Sequence, residues 1–66
     1  MKDKWTGVLI GKMHNADVTF DDLATELGVT KAYVSMILNG RRKPPEAKQR
    51  LQAAFESILR KRKEGE

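Results

Sequence analysis

The chain has 66 residues, a net charge of +4 and no cysteine, and its one histidine is His14. A disulfide framework, a thiolate metal site and a histidine-rich metal cluster are therefore excluded, and we expect no metal and no cofactor. Nothing staples so small a core, so we expect one domain over residues 1–66 that is held together by packing alone.

The charge is unevenly distributed along the chain. Residues 1–40 contain four basic and five acidic side chains, whereas residues 41–66 contain nine basic and four acidic ones. A basic half of this kind is typical of proteins with a polyanionic partner, although many other proteins have one. No segment approaches the ~20 apolar residues of a membrane span, and the longest apolar stretch near the start is too short for the core of a signal peptide. The sequence therefore predicts a cytoplasmic protein without a membrane partner.

Apolar residues spaced by four predict a first helix over residues 4–14. Trp5, Leu9 and Met13 would lie on one face of this helix. Gly7 and Gly11 oppose the prediction, since glycine costs ~1 kcal/mol relative to alanine inside a helix.

A second, short helix is predicted over residues 20–27. Thr19 precedes it as a hydroxyl N-cap, and Asp22 follows three residues later, which is the spacing of a capping box. Gly28 then ends the helix, because glycine adopts the left-handed conformation without a Cβ penalty.

A third helix is predicted over residues 30–38, with Thr30 as its cap and Val34, Ile37 and Leu38 as its buried face. The basic residues Arg41–Lys43 follow as a loop.

A fourth helix is predicted from about residue 46 to about residue 62, opened by Pro45 and followed by a charged tail. No segment has the pattern of a strand. The predicted fold is all-α with four helices, or five if the last helix is divided.

Two short helices joined by a glycine turn pack at a steep angle, so that the second projects its outer face. The segment Thr19–Pro45, TFDDLATELGVTKAYVSMILNGRRKPP, resembles the repressor and Cro class of phage and bacterial helix-turn-helix regulators. The similarity is strongest in Leu23–Thr30 and Asn39–Pro44. The resemblance implies that the motif spans Phe20–Asn39 and that its second helix enters the major groove of double-stranded DNA.

The resemblance also implies which residues touch DNA. Lys31 would donate to guanine O6 and N7, and apolar side chains would meet thymine methyl groups. The implied base contacts are Lys31, Ala32, Tyr33 and Met36. The implied contacts to the sugar–phosphate backbone are Thr19, Thr30, Ser35, Asn39, Arg41, Arg42 and Lys43.

Three departures from the family pattern are visible. Phe20 stands where the family often has a glutamine that reaches a phosphate. Met13 and Leu38 stand where many members have an Arg–Glu pair, and we expect an apolar contact there. The family usually has two helices after the basic loop, whereas the apolar pattern of this chain predicts one uninterrupted helix.

Several residues have a structural alternative. Tyr33 is either an outward base contact or a partly buried ring of the third helix. Asp21, Asp22 and Glu26 are expected to form a solvated acidic face. The basic run of residues 60–63 is expected to be a solvated helix end, with a nucleic-acid patch or a nuclear address as the alternatives.

The predicted function is that of a sequence-specific DNA-binding regulator, and no nucleophile–base pair or metal set suggests an enzyme or a small-molecule substrate. The alternative is a protein–protein interaction module on the same scaffold, which leaves the basic loop without a purpose. Members of this class usually bind as dimers. We therefore expect either a weak homodimer or a monomer that pairs only on DNA, with Phe55, Ile58 and Leu59 as either the dimer interface or a cover for the core.

Overall fold

The computed structural model describes residues 4–64, which form four α-helices and no strand. The helices are α1 (Lys4–Asn15), α2 (Phe20–Leu27), α3 (Lys31–Leu38) and α4 (Ala47–Glu64). The predicted all-α fold and the order of its helices are confirmed. The division of the last helix into two does not occur, because α4 continues for 18 residues without a break.

The core lies where all four helices meet. α2 packs against both α3 and α4, and α1 closes the core from the side of α3 and α4. Met13 and Leu38 both belong to the buried cluster, as expected from the apolar replacement of the family's ion pair. The residues of this cluster are Leu9, Met13, Val18, Leu23, Ala24, Val34, Ile37, Leu38, Ala47, Leu51, Ala54 and Phe55.

The start of α2 is fixed by the predicted capping box. The Thr19 side-chain oxygen accepts from the N–H of Asp22 at 3.1 Å, and the Asp22 carboxylate accepts from the N–H of Thr19 at 2.9 Å. Two amides that the helix itself leaves without partners are thereby satisfied. Both bonds are local in sequence, which is why the pattern could predict them.

The first three helices end in the same way. In each, a residue with positive φ follows the helix: Asp17 at 55°, Gly28 at 74° and Gly40 at 78°. The next residue's N–H then reaches back to a carbonyl of the last turn, as when the Val29 N–H donates to the Ala24 carbonyl at 2.9 Å. This arrangement is the Schellman motif, and it turns the chain sharply enough for α2 and α3 to be adjacent.

The beginning and end of α4 differ from the prediction. α4 begins at Ala47 rather than at Glu46, because Glu46 has φ of 63° and so cannot continue a right-handed helix. Pro45 therefore lies in a turn before the helix and does not open it. At the other end the helix extends through Lys63 and Glu64, which were predicted as tail; Gly65 and Glu66 lie outside the described residues.

Substitution of two glycines by alanine tests how the helices are terminated. Gly28→Ala places a Cβ on left-handed backbone and should lower the free energy of unfolding by ~1–2 kcal/mol. Gly11→Ala is the matched control, since Gly11 is inside α1 and a methyl group there meets no atom within 4 Å. It should raise the free energy of unfolding by up to ~1 kcal/mol. Urea denaturation measures both, and a destabilised Gly11→Ala or an unaffected Gly28→Ala would contradict this account.

Candidate nucleic-acid interface

α3 is anchored on one side and open on the other. Val34 and Leu38 have no exposed surface and Ile37 is 5% exposed, so the inner face of α3 is part of the core. On the opposite side Lys31 and Ala32 are exposed and Met36 is half-buried. The outer face of α3 is therefore free to contact another molecule.

The N-terminal end of α3 favours negative charge. The Thr30 hydroxyl oxygen caps the helix by accepting from the N–H of Tyr33 at 3.1 Å, as predicted. This cap leaves the hydroxyl proton of Thr30 free to be donated outward. The first amides of a helix and its macrodipole both attract anions, so a phosphate placed beside Thr30 would be stabilised.

Ser35 and Asn39 form a pair one turn apart at the other end of α3. The Asn39 side-chain amide donates to the Ser35 hydroxyl oxygen at 3.0 Å, and the Asn39 N–H donates to the Ser35 carbonyl at 2.9 Å. Asn39 is exposed and Ser35 is half-buried. The pair holds both polar side chains at the surface, where the remaining hydroxyl and amide protons are available as donors.

The basic loop begins directly after α3. Arg41, Arg42 and Lys43 are all exposed, so the structure brings the three predicted phosphate-binding side chains to one surface segment. The backbone of this loop is tied to α3, since the N–H groups of Arg41 and Arg42 donate to the Met36 carbonyl at 2.8 and 3.2 Å. The loop therefore has a defined position relative to the helix.

Tyr33 is held partly inside the protein. Its side chain is half-buried and packs against the core cluster, which favours the partly buried ring over a fully outward position. The Arg42 guanidinium carbon lies 5.6 Å from the centre of the Tyr33 ring. This distance is within the range of a cation–π contact.

Acidic side chains lie at the start of α2, and one of them contacts the first residue of α3. Lys31 Nζ lies 3.8 Å from Asp21 Oδ2, with both side chains largely exposed. Asp22 is engaged in the capping box, and the hydrogen bond from the Thr19 N–H is the main cause of the lowered pKa of its carboxyl group. Thr19, a predicted backbone contact, thus has its amide and its hydroxyl oxygen occupied by Asp22. A phosphate approaching this point would meet a carboxylate.

The expectation of a solvated acidic face is wrong for Glu26. Lys61 Nζ donates to both Glu26 carboxylate oxygens, at 2.8 and 3.0 Å, and the Ser57 hydroxyl donates to Oε2 at 2.9 Å. The bond from Lys61 and then the bond from Ser57 lower the pKa of Glu26. These bonds link α2 to α4 across 31 and 35 residues of sequence.

The basic run at the end of α4 is exposed, as expected, but Lys61 and Arg62 also bond to other parts of the fold. The Arg62 guanidinium donates to the carbonyls of Ala16 and Asp17 at 2.6 and 2.9 Å, and one of its nitrogens lies 3.6 Å from Asp22 Oδ2. These carbonyls directly follow α1, where a cation also offsets the negative end of the helix dipole. Two cations of the basic run are therefore bonded to other parts of the fold.

The three residues predicted as dimer interface or core cover have different positions. Phe55 is 7% exposed and belongs to the core cluster, and Ile58 is half-buried against it. Leu59 is 38% exposed. Val8, on α1, is the other large apolar side chain that is exposed among the described residues.

Residues 4–64 contain neither a candidate metal site nor a membrane-spanning helix. No group of three or more histidine, cysteine or acidic side chains in this part of the chain is placed to hold a metal ion. None of its helices combines the length and apolar character needed to cross a membrane.

Comparison with known proteins identifies the motif. Residues 17–48 match the helix-turn-helix family. This match covers α2, α3 and the basic loop, and it supports the predicted resemblance to the repressor and Cro type of helix-turn-helix, a family of DNA-binding regulators. Neither the curated proteins nor the solved structures gave a match.

Sequence reasoning missed the contacts that surround α3. The Asp21–Lys31 pair and the Arg42–Tyr33 contact join residues nine or ten positions apart, on different sides of a turn. Neither has a fixed spacing that a helix or a turn would impose. The one available signal was the amphipathic position of Tyr33, which allowed a partly buried ring.

Acid titration tests the link between α2 and α4. Because the folded pKa of Glu26 is below its ordinary value of 4.5, the unfolded chain binds the proton more readily. The stability contributed by Glu26 is therefore present above pH 4.5 and is lost as the pH falls through the lowered pKa. Glu26→Gln should unfold with a shallower pH dependence in this acid range than the wild type.

Glu56→Gln is the matched control for this titration, since Glu56 is an exposed glutamate on α4. Urea denaturation at several pH values between 3 and 7, about one pH unit apart, gives the free energy of unfolding as a function of pH. The slope of that curve equals the difference in bound protons between the unfolded and folded chains, up to a constant factor. An identical slope for Glu26→Gln and the wild type would contradict the assigned role of the Glu26 carboxylate.

Proposed function

We propose that this protein is a sequence-specific regulator that binds double-stranded DNA and places α3 in the major groove. The observation that carries the proposal is the two-sided character of α3. Its inner face is buried to 5% exposure or less, while Lys31 and Ala32 at its N-terminal end are exposed. A helix anchored in this way presents a fixed outer surface, which is what reading base edges requires.

The outer face of α3 suits a base-reading role. Lys31 carries an ammonium group that matches the O6 and N7 acceptors of guanine, and Ala32 and Met36 offer apolar contact to a thymine methyl group. To reach a base, Lys31 exchanges its 3.8 Å contact with Asp21 for the acceptor on the DNA. An exposed pair of this kind contributes little stability, so the exchange is inexpensive.

The flanking side chains suit the sugar–phosphate backbone. Thr30 offers a hydroxyl at the positive end of α3, and Ser35 and Asn39 offer donors at the other end. Arg41, Arg42 and Lys43 would neutralise phosphates and so supply much of the affinity and its salt dependence. Such a regulator would act in the cytoplasm, where bacterial or phage DNA is located.

Two copies are proposed to bind one site. Helix-turn-helix proteins of this kind read two half-sites about one helical turn apart, with the symmetry of the site matching that of the protein. Leu59, together with the half-buried Ile58, offers apolar surface on α4 for such pairing. Phe55 would contribute only through the packing of the core beneath.

Selection of bound duplexes from a random pool tests the function directly. We expect an enriched sequence with two-fold symmetry and half-sites ~10 base pairs apart. Affinity for that sequence should fall steeply as salt rises, because phosphate contacts release counterions. No enrichment, together with no binding of any duplex at low salt, would leave the helix-turn-helix as a protein-interaction module.

Two substitutions separate base contacts from phosphate contacts. Lys31→Ala should cost ~1–3 kcal/mol on the selected sequence and relax the preference at one position. Arg41→Ala should weaken binding on all sequences alike and reduce the salt slope by about 1. Fluorescence anisotropy on selected and scrambled duplexes, each over a salt series, measures both. Equal losses on both duplexes for Lys31→Ala would remove it from the bases.

A further inference from the structure

Tyr33 and Arg42 form one unit that joins α3 to the basic loop. The guanidinium of Arg42 lies over the Tyr33 ring, with 5.6 Å between its central carbon and the ring centre. Among the described residues this is the one cation–ring contact, so neither Arg41 nor Lys43 has an equivalent support. The three basic side chains of the loop are thus not equivalent.

The Tyr33 ring is itself partly fixed by the core. It packs against the core cluster and borders a small cavity shared with the α2–α3 turn and the proline segment of the loop. The lining residues include Leu27, Val29, Pro44 and Pro45. Because it packs against the core, the ring offers a more rigid face to Arg42 than a fully exposed tyrosine would.

The backbone supports the same arrangement. The Arg42 N–H donates to the Met36 carbonyl at 3.2 Å, so the chain at Arg42 is tied to the last turn of α3. The side chain then runs back along α3 to Tyr33, which lies in the first turn of that helix. The charge of Arg42 is therefore held beside the first turn of α3, while the Arg42 side chain stays exposed to solvent.

From this geometry we infer that Tyr33 is a positioning residue: its ring holds the Arg42 guanidinium at the edge of α3, ready for a phosphate, and does not read a base. An arginine side chain loses rotational freedom about several bonds when it binds a phosphate. A side chain that is already held loses less of this conformational entropy. The contact thus raises affinity for every duplex alike. The inference rests on the proposed function for its consequence in binding, although the contact itself belongs to the free protein.

The first test uses the free protein. Protons on the Arg42 side chain that lie over an aromatic ring should show upfield NMR shifts relative to those of Arg41. Tyr33→Phe keeps the ring and should keep the shifts, whereas Tyr33→Leu should abolish them. Arg42 shifts that equal those of Arg41 in the wild type would overturn the inference whether or not the protein binds DNA.

The second test is a double-mutant cycle in DNA binding, read on the selected duplex and on a scrambled one. Tyr33→Leu should weaken binding about two- to fivefold on both duplexes, the affinity equivalent of an exposed cation–π contact. The same substitution should have no further effect in an Arg42→Ala background, and Tyr33→Phe should bind as the wild type does. Arg41→Ala provides the control background, in which the effect of Tyr33→Leu should persist in full.

The outcomes of the cycle separate the possible failures. Loss on the selected duplex alone, already present in Tyr33→Phe, would show that the hydroxyl reads a base and would overturn the inference while leaving DNA binding intact. Equal effects of Tyr33→Leu in the Arg42→Ala and wild-type backgrounds would also overturn it. A wild-type protein that binds no duplex would overturn the proposed function, and the NMR shifts would still decide the contact.

Circular dichroism establishes that each variant is folded, because Tyr33 also packs against the core. If Tyr33→Leu does not fold, Arg42→Lys replaces it: lysine keeps the charge but lacks the planar group that stacks on a ring. Arg42→Lys should then weaken binding more than the matched Arg41→Lys on both duplexes, and equal effects would overturn the inference.

Discussion

The inner face of α3 carries the constraint on which the rest of the structure depends. A helix of eight residues is not stable alone in water, because the few hydrogen bonds it gains do not offset the cost of nucleation. Val34 and Leu38 are fully enclosed by the other helices, and their burial supplies the missing stability. The stability of α3 therefore does not depend on its exposed side chains.

α4 contributes to this constraint in two ways along its length. Its first half buries Leu51, Ala54 and Phe55 in the core. Its second half is tied by charge, with Lys61 bonded to Glu26 on α2 and Arg62 bonded to carbonyls after α1. Both ties lie at the surface, so they orient the helix more than they stabilise it.

The helices and their caps could be predicted because their signals are local. Thr19 with Asp22, and Thr30 with Tyr33, act over three residues, and Gly28 provides a left-handed conformation that few residues adopt. The left-handed conformation of Glu46 had no such signal, since glutamate is not a residue that favours it. The pattern therefore predicts a start at about residue 46, one residue before the observed start at Ala47.

The outer face of α3 could be predicted from its amphipathic pattern and from the resemblance, whereas its surroundings could not. Arg42 over Tyr33 and Lys31 beside Asp21 depend on how the chain returns after a turn. Glu26 with Lys61 depends on the docking of helices far apart in sequence. Side chains of such length reach several partners, and only the assembled fold selects one of them.

Because α3 is short, one copy of the protein could distinguish only a short DNA sequence. Eight helical residues extend ~12 Å, and stacked base pairs repeat every ~3.4 Å, so a single α3 lies alongside only a few base pairs. So short a sequence recurs many times in a genome with ~10⁶ or more competing positions. On the proposed mode of binding, a unique site must therefore combine several such short sequences. The spacing between them along the duplex then carries as much information as the sequences themselves.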